Sequence, residues 1–145
     1  MNTFKLLRII YWTMVTGQVF YFIVSLLLIQ DEAIVLNRDY NDIWGLVIPI
    51  IVVIMVVSSK LFYNYLINSK LEDFTEEEKL KTYKKSNIIK SALLEGANLL
   101  SVTFYQLTGD FLYVGMFIIV LGIFLLNFPG KEKFMIEFEL SSIDK

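Results

Sequence analysis

The 145-residue chain is 56% hydrophobic, with a mean hydropathy of +0.60, against roughly 45–50% apolar residues in ordinary soluble domains. Its formal net charge is −2, and it has neither cysteine nor histidine, which excludes disulfides, thiol nucleophiles, thiolate metal sites and imidazole bases or ligands. With no phosphate loop and no dinucleotide fingerprint either, the composition predicts an all-α polytopic membrane protein with no cofactor, no metal and no nucleic-acid partner.

Helix one is predicted over about 4–29. Between Arg8 and Asp31 lie 22 uncharged residues, enough to cross a hydrocarbon core of about 30 Å, which takes roughly 20 helical residues. The run is too long for the apolar region of a signal peptide and lacks a small-residue cleavage site, so it is expected to remain as a span. Helix two is predicted over about 43–67, from the 17 uncharged residues between Asp42 and Lys60, with Asp42 as its N-cap. Its stretch GLVIPIIVVIMVV does not alternate apolar with polar residues, which argues against a β-barrel strand.

Helix three is predicted over about 75–108. Thr75 followed by Glu76, Glu77 and Glu78 has the pattern of a capping box, with acids at the positive end of the helix dipole. The 19 residues Ser91 to Gly109 carry a single charge, Glu95. A helix this long extends about 50 Å, so its first third is expected to project into the cytoplasm. Thr108, Gly109 and Asp110 then make a tight outer turn, Gly109 supplying the left-handed position and Asp110 the next N-cap. Helix four follows over about 111–128, from the 20 uncharged residues between Asp110 and Lys131, and Pro129 and Gly130 stop it. The result is an antiparallel four-transmembrane-helix bundle in one domain spanning 1–145. The tail 129–145 is expected either to lie along the membrane or to pack under the bundle. It carries both a helical pair, Phe134 and Phe138, and an alternation, Ile136, Phe138 and Leu140.

Twelve of the 13 Lys and Arg lie at the N-terminus, around the end of helix two and start of helix three, or in the tail; the exception is Arg38. The positive-inside rule then places both termini in the cytoplasm. Lys81, Lys84 and Lys85 are read as topology signals and anionic-lipid contacts rather than nucleic-acid ligands. Trp44 and Tyr113 at the outer ends, with Tyr63, Tyr65 and Phe128 at the inner ends, fit either aromatic belts or ordinary packing.

Glu95, in the segment SALLEGANLL, is the residue that asks for an explanation. Counting inward at 1.5 Å per residue puts it about 21 Å below the outer boundary. Gln18, Ser58, Asn98 and Gly122 fall at about 18, 24, 16 and 18 Å by the same count, so the four helices offer a polar layer. Ser91, Glu95, Asn98 and Tyr105 share one face of helix three, and Gln18, Tyr21 and Ser25 one face of helix one. These stripes are expected to face each other. Gly96 and Ala92, with Gly115 and Gly122, are expected to let helices three and four pack closely. The candidate polar or ion site is therefore Glu95, Gln18, Asn98, Ser58, Lys60 and Tyr21. In one reading Glu95 is glue, bonded to Gln18 or Asn98 or paired with Lys60; in the other it titrates in a proton or ion path.

The segments TGQVFYFIVSLLL, SNIIKSALLEGANLLSVTFYQLTGDFLYVG and FPGKEKFMIEFELSS resemble an uncharacterised family of small four-helix integral membrane proteins of Bacteroidota. The resemblance covers most of the chain and implies a bacterial inner membrane location. ALLEGA also has a fainter similarity to rotary ATPase proteolipids, whose ion-binding carboxylate lies mid-helix before small residues. Here the acid is on the third helix, and the glycine-rich companion helix is missing. An enzyme is not expected. The first reading is a structural or assembly bundle partnered by the bilayer and by itself or another membrane protein; the alternative is a small proton- or ion-conducting protein that uses Glu95.

Overall fold

A computed structural model describes residues 3–29, 43–68 and 74–143, with side chains through Phe138. Arg38, Asp42, Lys70, Leu140 and Lys145 lie outside the residues whose side chains are described. The described residues form helices throughout: α1 Thr3–Ile29, α2 Trp44–Asn68, α3 Glu76–Thr108, α4 Phe111–Leu126 and α5 Lys131–Ile143.

The helix ends follow from local chemistry. Thr75 accepts from the Glu78 amide while the Glu78 carboxylate accepts from the Thr75 amide, closing the capping box at the start of α3. Those bonds to Thr75 hold the Glu78 carboxyl below its ordinary range. At the other end Gly109 sits at φ 67°, where a side chain would be strained, and its amide bonds Tyr105 O. Asp110 accepts from the Leu112 amide at 2.9 Å and starts α4. Only two residues separate α3 from α4, so the two run antiparallel and pack on each other.

α3 is the helix against which α1, α2 and α4 each pack. Among its buried positions, Asn87, Lys90, Leu94, Asn98, Ser101 and Tyr105 step by three and four residues and so form one stripe. They include more polar residues than the buried faces of α1, α2 and α4. The main core joins Tyr11 and Val15 of α1, Ile48 and Val52 of α2, Leu94 and Ala97 of α3, and Tyr113, Val120 and Phe124 of α4.

α1 and α2 are long and apolar enough to cross a membrane. Their outward faces are apolar as well, with Phe20 68% and Leu46 67% exposed. Apolar surface this continuous is costly in water and neutral in lipid. α4 meets α5 at a bend of 73° across Asn127 to Gly130. Pro129 has no amide to continue the ladder, and the chain turns.

That bend settles how the tail is arranged. α5 is helical and turns Phe134 and Phe138 against Phe4, Leu7, Tyr63, Ile67 and Tyr83, in a second core at the end where α1 begins and α2 finishes. The helical pair of Phe134 and Phe138 makes the contacts, with ring centroids 4.8 Å apart. Of the aromatics open to either a belt or a packing role, Tyr113 and Tyr63 are buried and pack. Trp44 and Tyr65 remain exposed.

Candidate functional site

Polar side chains between the helices fall into three groups at different heights. In the middle, Asn98 donates from Nδ2 to Gln18 Oε1 at 2.5 Å, tying α3 to α1. Both residues are almost fully buried. Gln18 Nε2 and Asn98 Oδ1 have no hydrogen-bond partner among the described residues, so the pair keeps one donor and one acceptor to spare.

Towards the α3–α4 turn, Tyr21 donates to Gln106 Oε1 at 3.0 Å and lies 3.1 Å from the Thr103 hydroxyl. Gln106 Nε2 in turn donates to Ser25 Oγ at 2.6 Å, and Ser25 donates to the Tyr21 carbonyl at 2.7 Å. Tyr21 is therefore part of a separate network one to two turns away from Gln18.

The third group lies at the opposite end. Lys90, one residue before the long stretch whose sole charge is Glu95, donates to Asn127 Oδ1 at 2.6 Å and sits 4.2 Å from the centroid of the Tyr63 ring. Tyr63 donates to Glu137 of α5. Burial pushes the Lys90 ammonium down to about 8, with Lys133 adding to the shift, Glu137 opposing it and Lys60 reinforcing it. Tyr83, whose phenol burial raises to about 12 with help from Glu137, stays protonated and donates to Gly130 O at 3.2 Å. Lys90, Asn127, Tyr63 and Glu137 thus join α2, α3, the α4–α5 bend and α5.

Glu95 belongs to none of these groups. Its side chain is half-buried at the margin of the α3 stripe and has no hydrogen bond or ion pair among the described residues. The expected bond to Gln18 or Asn98 is absent among the described residues: Asn98 Nδ2 donates to Gln18 Oε1 instead, and Gln18 Nε2 does not bond Glu95. Lys60 is exposed and does not pair with it. Ser58 is only half-buried, and its neighbour Ser59 takes the buried position, donating to Val56 O at 2.7 Å. One residue is a rotation of about 100° on a helix, enough to exchange an inward for an outward position.

Of the packing glycines, Gly96 lies at a close approach: a Cβ built there comes within 2.7 Å of Met55 Cε on α2. A Cβ at Gly115 or Gly122 meets nothing within 4 Å, so neither sits at a close helix contact among the described residues. Gly96→Ala is expected to be nearly neutral, because the Met55 methyl is the free end of a flexible side chain. Gly96→Leu is expected to cost about 1–3 kcal/mol through overpacking, and Met55→Ala in the same chain should return most of it. Thermal unfolding in detergent micelles checks both.

Comparison with protein families, curated proteins and solved structures finds no match. What the chain does must therefore be argued from its own residues. The sequence pattern missed Lys90, Asn127, Gln106 and Thr103. The signal for Lys90 was present in its spacing from Asn87 and Leu94, which continues the same stripe as Asn98.

Proposed function

We propose that this is an integral membrane protein that works by lateral assembly, with a second copy of itself or with another membrane protein, and that Glu95 is the group it presents to that partner. The reading takes α1, α2, residues 91–108 of α3, and α4 as four spans with both termini in the cytoplasm, as the distribution of Lys and Arg favours. α4 has 16 residues, about 24 Å of helix, which a bilayer accommodates by local thinning. A bacterial inner membrane and kinship with the small four-helix family of Bacteroidota belong to the same proposal.

The observation that carries it is the isolation of Glu95. An acid at mid-helix costs about 2.5–3.5 kcal/mol to insert, and such groups face a partner or a wet cavity. Asn98 Nδ2 is taken up by Gln18 and Tyr21 by Gln106, and Glu95 has no hydrogen bond or ion pair among the described residues, so on this reading its donor comes from a partner. Because the sequence has no cysteine, Leu99→Cys, one turn from Glu95 and partly exposed, gives a single thiol for a benzophenone crosslinker in native membranes. A discrete adduct is expected, at twice the monomer mass for self-association and at another mass for a different partner. Glu95→Leu should abolish it while the helical circular dichroism is kept. Absence of a discrete adduct, or an adduct indifferent to Glu95→Leu, overturns the reading.

One observation favours the proton- or ion-conducting alternative. Gln18 Nε2 and Asn98 Oδ1 have no hydrogen-bond partner among the described residues, and Asn98 lies about one turn from Glu95 along α3, an arrangement suited to bridging water. Proton flux into liposomes under an imposed potential distinguishes it: flux lost in a folded Glu95→Gln variant assigns Glu95 to a pathway.

A further inference from the structure

The outward face of α1 has a feature that assembly through Glu95 does not use. Lys5, Arg8, Ile9, Trp12, Thr13, Thr16, Gly17 and Phe20 line a shallow groove of about 730 Å³. Its lining residues recur at spacings of three and four, so they form one strip along the helix. Two cations stand at the end nearest the N-terminus, and the remainder is largely apolar.

Beyond the two cations the lining is mostly apolar. Thr13 turns its hydroxyl to the Ile9 carbonyl at 2.9 Å, so that group is satisfied within the helix. Gly17 leaves a gap, since a Cβ there would meet nothing within 4 Å. Trp12 forms a wall held in place by Tyr11, at 5.8 Å between centroids, and by Phe128, at 6.3 Å. Arg8 is positioned too: its guanidinium carbon lies 5.8 Å from the Phe128 ring centroid. An arginine resting on an aromatic ring keeps the edge of its fork free for a phosphate.

We infer that this groove binds one anionic phospholipid of the leaflet nearest the N-terminus, its phosphate held by Lys5 and Arg8 and one acyl chain lying over Thr13 and Gly17 to Phe20. The dimensions agree. From Arg8 to Phe20 the helix rises about 18 Å, close to one leaflet of a core about 30 Å thick. A second copy is the competing occupant, because small residues four apart also suit helix pairing. A parallel pair on this strip would, however, set Lys5 and Arg8 of one copy against Lys5 and Arg8 of the other, whereas a lipid phosphate neutralises both cations.

Trp12 reports on the site directly. In a Trp44→Phe background it is the sole tryptophan, and its quenching is read in phosphatidylcholine vesicles where either the phosphatidylcholine or an equal share of phosphatidylglycerol carries brominated acyl chains. A preference of roughly tenfold for brominated phosphatidylglycerol is expected from two cations near the headgroup. Lys5→Gln with Arg8→Gln should remove the preference while quenching by phosphatidylcholine persists. Gly17→Leu, whose Cβ meets nothing within 4 Å among the described residues, should reduce quenching by the anionic lipid. Equal quenching by the two lipids overturns the inference, as does a preference that survives the double substitution. A Trp12 shielded from both lipids also overturns it, in favour of a second copy. None of these readouts depends on Glu95, so this inference and the assembly reading fail separately.

Discussion

Tyr83→Ala is expected to lower stability by about 3–5 kcal/mol, the range for deleting a buried aromatic ring, and to release α5. Tyr83 is fully buried where α1, α3 and α5 meet. Its ring stands 5.2 Å from that of Phe134, 6.4 Å from Phe4 and 6.5 Å from Phe138. Its hydroxyl bonds the carbonyl of Gly130, the residue before α5 begins. One side chain therefore holds both the position of α5 and its entry point. Tyr83→Phe keeps the ring contacts and loses only the hydrogen bond, so about 0.5–1.5 kcal/mol is expected there. Trypsin reports the release: Lys131 and Lys133 lie on the first turn of α5, and cleavage there should accelerate strongly in Tyr83→Ala and little in Tyr83→Phe. Equal cleavage rates in the two variants would mean that α5 is held by other contacts.

The contrast between Tyr83 and Glu95 shows what one-dimensional reading captures. Helix ends were legible because their causes are local: Thr75 with Glu78, and Gly109 with Asp110, act within four residues. The shared height of Gln18 and Asn98 was legible as well, since counting from the turns puts both in the same layer, but the partner expected for either was Glu95 and not the other amide. Height is not azimuth. Which way Glu95, Ser58 and Lys60 face depends on how the helices rotate and cross, and that is decided by volumes such as Met55 filling the space over Gly96. For the same reason Tyr21 bonds Gln106 rather than joining Gln18. Gly115 and Gly122 show the limit of composition arguments: a small residue permits close approach without causing it. The tail was ambiguous because its sequence holds both periodicities, and the partner that selects the helical one, Tyr83, lies about fifty residues away in the chain.

Asn98→Leu is expected to cost about 1–3 kcal/mol, mostly because it strands Gln18, whose remaining polar atoms would have no donor or acceptor within reach. Hydrogen bonds between membrane helices average only about 0.6 kcal/mol, because the separated helices find other partners. The upper part of the range applies here, since Gln18 and Asn98 are 1% and 0% exposed, which leaves an orphaned amide at this level little solvent contact. Gln18→Met should cost a similar amount by stranding Asn98. Combining them removes both amides and leaves no buried polar atom unpaired at this level, so the double variant should be more stable than either single one. Unfolding of the four proteins in mixed micelles closes the cycle; additive single effects would show that the two amides do not act as a pair. The double variant carries a further consequence, because the wild-type pair already leaves Gln18 Nε2 and Asn98 Oδ1 without a partner among the described residues. If Gln18→Met with Asn98→Leu matches or exceeds the wild type in stability, the amides are not there to hold α1 to α3. Proton flux measured on that stable double variant then decides between a spare donor and acceptor that serve a hydrated path beside Glu95 and a pair that only sets the register of the two helices.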